Sequence, residues 1–169
     1  MTSFRIKKGF IISTILSISV GAVVVSENDY QLPYHQEDFI RTSHDFGYRF
    51  QPGIYGPKKF NKGIVIGLKR GAGIYAIEDG VVLSLCDTCR RGNGKSLVIK
   101  HNDSISATYY HLSEVSTYVG KQLEKGERIG TSGSTGFVTG NVLGVMVELN
   151  DSIVHPRKIL PIPELVRKK

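Results

Sequence analysis

The chain has no tryptophan and two cysteines, Cys86 and Cys89, and these scarcities narrow its chemistry at once. With no second C-x-x-C pair and no thioredoxin-like βαβ pattern around it, Cys86-Asp87-Thr88-Cys89 reads neither as a metal-binding knuckle nor as a redox motif. A local disulfide or a pair of reduced thiols remains, and an oxidising compartment favours the disulfide. No cysteine stands directly after the N-terminal apolar run, which argues against a lipid-modified N-terminus. That run, residues 10–25, is itself short. As a helix it would reach about 24 Å, against about 30 Å of hydrocarbon in a bilayer. Acidic charge is also sparse, and the formal net charge is +7. Setting aside Arg5, Lys7 and Lys8, which precede the apolar run, leaves +4. A mildly basic domain suits a partner bearing carboxylates or phosphates, although solvated surface charge would read the same way. No nucleic-acid motif accompanies the charge, so nucleic acid is not expected as a partner.

Basic residues before an apolar stretch mark a targeting element at residues 1–26. Val24-Val25-Ser26 offers a small-residue cleavage site before Glu27, and retention as an uncleaved anchor fits equally well. Either way the remainder is exported, to the periplasm or cell envelope, free or held at the inner membrane. Residues 27–42 are polar and aperiodic and read as a linker or a lead-in arm packed on the domain. Residues 43–160 carry that domain, and residues 161–169 form a basic C-terminal tail. The total of 169 residues allows one domain with a proper core. Nineteen glycines among many Val, Ile and Tyr predict a mainly β, antiparallel sheet or barrel-sandwich, preceded by the N-terminal apolar helix.

Short apolar and alternating segments bear this out along the chain. Strands are expected at residues 63–68, 74–77, 81–85, 96–101, 104–111 and 145–149, with a single helical turn over 112–117. Three segments then stand out: Phe60-Asn61-Lys62-Gly63-Ile64-Val65-Ile66, Tyr109-Tyr110-His111-Leu112-Ser113 and Thr139-Gly140-Asn141-Val142-Leu143-Gly144-Val145. Flanking them are Ser43-His44-Asp45-Phe46-Gly47-Tyr48-Arg49, the turn-and-strand 119–130, the loop 131–136 and the closing Ile153-Val154-His155-Pro156. In this order and spacing the set resembles the lysostaphin/LytM-type zinc endopeptidases of bacterial cell walls, the family-23 metallopeptidases with the duplicated hybrid motif fold. The resemblance covers residues 43–160.

That family carries H-x-G-x-D, Y-x-H-L and G-x-H-x-H. Here Asn61 and Val65 stand at the first pair of metal positions, and Gly144 stands at the third. Val142 replaces the other histidine of the last motif, and His111 alone is retained. Alternation along a strand is expected to point 61 with 65, and 142 with 144. The resemblance implies zinc, but Asn61 offers a neutral amide and Val65 and Gly144 offer no donor, so no metal cofactor and no intact catalytic set are expected. His35, His44, His101 and His155 lack metal-ligand spacing to one another. Restoring the set with Asn61→His, Val65→Asp and Gly144→His is expected to rebuild a zinc site.

The resemblance therefore implies an inactive relative that binds peptidoglycan or a cell-wall hydrolase through its old groove. Asn61, Tyr109, His111, Val142, Lys62, Arg70 and Arg91 are the candidate groove residues, with Lys58, Lys59, Lys69 and Arg90 as further cations. Two rivals stand beside this reading: an active endopeptidase with unorthodox ligands, and a structural component of an envelope assembly.

Overall fold

A computed structural model describes residues 30–49 and 59–164 of the chain. The apolar run expected to form an N-terminal helix lies outside them, as does Lys58. Within the described residues no helix is long and apolar enough to cross a membrane. In chain order the strands are β1 Phe39–His44, β2 Gly47–Arg49, β3 Lys59–Asn61, β4 Ile64–Leu68, β5 Gly73–Tyr75 and β6 Gly80–Cys86. They continue with β7 Lys95–Lys100, β8 Ile105–Val115, β9 Gln122–Leu123, β10 Arg128–Ser132, β11 Val142–Leu149 and β12 Ser152–Val154.

Ten of these form one antiparallel sheet whose main path runs β1-β4-β11-β8-β7-β6-β9. Strand β10 pairs with both β5 and β8, β12 pairs with β11, and β2 and β3 make a separate two-stranded sheet. The fold is thus mainly β and antiparallel, and the reason is local. In β11, Leu143, Val145 and Val147 alternate into the core while Val142, Gly144 and Met146 take the other face. Strand β4 is buried at all five positions, as a near-continuous apolar run in the middle of a sheet should be.

The boundaries differ from the sequence expectation in three places. Residues 112–117 do not make a helical turn, because β8 continues to Val115 and pairs Glu114 and Val115 with Thr131 and Gly130 of β10. The expected strand over 74–77 is shorter and earlier, and the Ala76 carbonyl instead accepts from Gln31 Nε2 (2.8 Å) and the Gly126 amide (2.9 Å). The segment 60–66 is not one strand. It breaks after Asn61, so Asn61 and Val65 belong to different sheets.

The packed unit also reaches beyond the residues of the resemblance. Tyr34 is buried and β1 begins at Phe39, so the described part of the lead-in arm is built into the domain. Ile162 joins the core near the other terminus, and the Pro163 carbonyl accepts from Thr42 Oγ1 (2.8 Å) and Arg157 Nη2 (2.7 Å). Arg157 also clamps the Asp45 carboxylate through Nη1, tying the start of β2 to the end of the chain.

Candidate functional site

Residues directly paired across antiparallel strands share a face. One such row crosses the sheet: His44 pairs with Val65, Val65 with Gly144, Gly144 with Tyr110, Tyr110 with Ser96, and Ser96 with Cys86. It brings two of the expected metal positions, Val65 and Gly144, side by side. It also brings a residue that the sequence reading left out. The Tyr110 ring lies across the Cα of Gly144, so that a Cβ added there would overlap ring carbons. Its hydroxyl lies over Gly63, 2.7 Å from where a Cβ would sit. The ring packs with Val65 and Val142, and Val138 and Met146 complete an apolar cluster. Only 7% of Tyr110 is exposed, and burial pushes its hydroxyl pKa up to about 12.

Tyr109, expected in the groove, faces the other way. It is fully buried in the main core, its hydroxyl accepting from the Ile77 amide and meeting His101 Nε2 at 3.3 Å. The cause is a β-bulge at His111: Lys95 pairs with Leu112 and Ser96 with Tyr110, leaving His111 opposite no residue. His111 sits at φ 68°, a left-handed conformation costly for a residue with a Cβ. The bulge reverses the alternation, so Leu112 and Tyr109 both reach the core and Tyr110 turns outward.

His111 itself is buried, with its amide donating to the Asn93 carbonyl (2.8 Å) and Nδ1 bonded to the Thr135 carbonyl (2.9 Å). Since a carbonyl only accepts, Nδ1 carries the proton. Burial holds the ring below the usual imidazole range, against the hydrogen bonds to Thr135 and Asn93. It stacks edge-on to Tyr110 at 4.7 Å. Asn61 is also committed: its Nδ2 donates to the carbonyls of Asp45 and Gly63, both at 2.7 Å. His44 is half-buried, with Nδ1 unpartnered, and burial holds it below its ordinary range, followed by the positive charges of Arg49, Arg41 and His111.

The other expected groove residues scatter. Lys62 is exposed after Asn61. Arg70 lines a different hollow of about 510 Å³, with Ser113, Ser132, Ser134 and Asn141. Arg90 and Arg91 are exposed on the loop after β6, at whose start Cys86 and Cys89 are joined as a disulfide. Lys95, salt-bridged to Asp87 at 2.8 Å, holds that loop at its far end. Sequence reasoning missed Tyr110 and Arg49. The signal available was a tyrosine at the variable position of Tyr109-Tyr110-His111-Leu112, in a chain with glycine where a large ligand side chain belongs.

A zinc ion does not fit these residues. Val65 and Val142 present methyl groups, Asn61 offers only a neutral amide oxygen, and Gly144 has no side chain and the Tyr110 ring lying over it. No group of three or more His, Cys, Asp or Glu residues suited to a metal ion occurs among the described residues. For the triple restoration, the Tyr110 ring lies where the side chain of Gly144→His would have to go. What the arrangement offers instead is an apolar cluster of Val65, Tyr110 and Val142 backed by Val138 and Met146.

Comparison with known proteins places this geometry. The model for Peptidase family M23 matches residues 59–156. The DD-carboxypeptidase/endopeptidase Mpg of Neisseria meningitidis is 34% identical over 130 residues, covering 76% of this chain and 29% of its own length. The murein hydrolase activator NlpD of Salmonella typhimurium is 33% identical over 101 residues, covering 60% of this chain and 26% of its own length. The catalytic domain of the prophage-encoded M23 protein EnpA from Enterococcus faecalis superposes with a TM-score of 0.61 at 30% identity. That alignment covers 74% of this chain and 94% of the EnpA chain. The chain thus spans a third or less of the length of the curated relatives it matches.

Proposed function

The chain belongs to peptidase family M23, and from that premise we propose that it is an envelope protein that works on the cell wall by recognition and has no peptidase activity of its own. Its groove holds peptidoglycan or a cell-wall hydrolase partner. The observation that carries this reading is the Tyr110 ring packed on Gly144, which fills the place of a metal ligand with apolar contacts. A groove that has lost its ligands by simple substitution would be left open; here the space is closed by a side chain. The names of the relatives support the cell-wall part of the reading, since one is a DD-carboxypeptidase/endopeptidase and another a murein hydrolase activator. Export of the domain, with the segment 1–26 cleaved or retained as an anchor, belongs to the same proposal.

The test is elemental analysis of the purified protein after extensive dialysis, together with incubation on isolated peptidoglycan with and without added zinc. Less than about a tenth of an equivalent of zinc and no release of soluble fragments are expected. About one zinc per chain with wall lysis would overturn the proposal and favour an active enzyme with unorthodox ligands. Co-sedimentation with intact peptidoglycan, or capture of a purified hydrolase with a rise in its activity, supplies the positive half. Failure of both leaves the purely structural alternative.

A further inference from the structure

We infer that the mouth of this groove is a carboxylate site, in which Arg49 with Lys59 beside it takes the C-terminal carboxylate of a short peptide. The inference rests on the recognition reading and names its ligand chemistry. In the β2–β3 pair, Gly47 is opposite Asn61, Tyr48 opposite Phe60, and Arg49 opposite Lys59. Alternation therefore puts Arg49 and Lys59 on the face that carries Asn61, while Tyr48 and Phe60 stack on the other at 5.0 Å. Asn61 is pinned to the carbonyl of Gly63, the residue under the Tyr110 hydroxyl, so this face borders the groove. After burial, which lowers the His44 pKa and raises that of Tyr110, the positive charge of Arg49 lowers both.

Among the described residues these cations have no counter-charge. Two like charges directly opposed across strands destabilise the pair, and a half-buried guanidinium is costly without an anion. Yet among the described residues neither Arg49 nor Lys59 forms an ion pair, and Asp45, the carboxylate nearest in sequence, is held by Arg157 and faces His155 at 3.7 Å. The intervening segment 50–58 contains no Asp or Glu that could supply one. Lysines elsewhere in the sheet are matched, Lys95 by Asp87, Lys100 by Asp103 and Lys121 by Glu127.

The planar guanidinium fork fits a carboxylate by two parallel N–H···O bonds. The unpartnered His44 Nδ1 lies in the same row as Val65 and Tyr110. Beyond them the floor of Val65, Val142 and Tyr110 is at most 7% exposed. An apolar patch beside the cations suits a chain end carrying a small aliphatic side chain better than the polar flank of a folded acidic protein.

The experiment is calorimetric titration of the full chain, in the presence of EDTA, with N-acetyl-alanyl-alanine as the free acid and as its C-terminal amide. The acid should bind at least tenfold more tightly than the amide. Arg49→Gln should weaken the acid at least tenfold and leave the amide unchanged. Arg49→Lys should fall between, and Lys100→Gln should change nothing; thermal melts confirm folding of each. Equal affinities for acid and amide, no heat with the acid at millimolar concentration, or an unaffected Arg49→Gln would overturn the inference. So would Arg49-dependent binding of polyglutamate tenfold tighter than the dipeptide acid, which would assign the cations to an acidic protein. Co-sedimentation with peptidoglycan is read in parallel. If it persists while acid and amide bind alike, only the carboxylate assignment falls; if it too is lost, the recognition reading falls with it.

Discussion

Gly144→Ala should be among the most damaging single-methyl additions in this protein, and the reason is Tyr110. The added Cβ would fall on the ring, and the ring cannot swing aside, because Val65 and Val142 pack against it and its hydroxyl end lies over Gly63. Overpacking a tight site typically costs about 1–3 kcal/mol, and contact with a confined ring on an interior strand belongs at the upper end. About 3 kcal/mol would lower the melting temperature of a domain this size by roughly 10 °C. Tyr110→Ala alone should cost about 3–5 kcal/mol through lost contacts and the cavity left behind. In that background the clash is gone, so the double variant should be less destabilised than the sum of the two by about 2–3 kcal/mol. Urea and thermal unfolding of the four proteins, followed by circular dichroism, closes the cycle. Zinc titration extends it. Asn61→His, Val65→Asp and Gly144→His together should bind zinc no better than wild type while Tyr110 is present. With Tyr110→Ala added they should gain affinity, held about ten- to a hundredfold below a natural site by absent supporting hydrogen bonds. Gly144→Ala within about 0.5 kcal/mol of wild type, additivity in the cycle, or zinc binding by the triple variant with Tyr110 intact would each refute the packing argument.

Acid should destabilise the protein through its buried histidines. Burial lowers the pKa of both His101 and His111 from the ordinary 6.5, so the unfolded chain binds more protons as pH falls. Their contribution is complete above pH 6.5 and is lost as pH drops from there toward the folded values, at up to about 1.4 kcal/mol per pH unit for each. Urea midpoints measured from pH 7.5 to 5 should show this slope, and His101→Gln should reduce it; a flat profile would contradict the burial argument. Separately, Cys86 and Cys89 are bonded across a sequence separation of 3, so replacing both with serine should cost no more than about 2 kcal/mol and leave the sheet intact. Melting curves of the double serine variant, with alkylation and mass spectrometry of the unreduced native protein, check the energy and the bond.

The strands that are legible in the sequence are those whose pattern is decided by burial alone. Strand β4 reads as an apolar run because both of its faces are covered, and β11 reads as alternation because one face meets the core and the other the groove. The errors lie where a distant partner decides. Residues 112–115 have a plain local pattern and become strand because β10 supplies the pairing. Ile162, in the stretch read as a tail, is buried because the sheet leaves apolar surface for it to cover, while the buried Tyr34 is what an arm packed on the domain would show.

The site was legible in what it lacks and illegible in what replaced it. Absent donors at Val65, Val142 and Gly144 can be read from residue types alone. The replacement depends on register, and register here turns on one extra residue. Strict alternation back from the buried Leu112 puts Tyr110 in the core and Tyr109 beside His111 in the groove. The bulge at His111 exchanges the two tyrosines, and with them the meaning of the segment: one becomes a core residue bonded to His101, and the other becomes the cover on Gly144. A glycine facing an aromatic ring across an antiparallel pair is a packing unit, each residue explaining the other. Gly144 is the position whose lack of a side chain lets Tyr110 lie across the neighbouring strand.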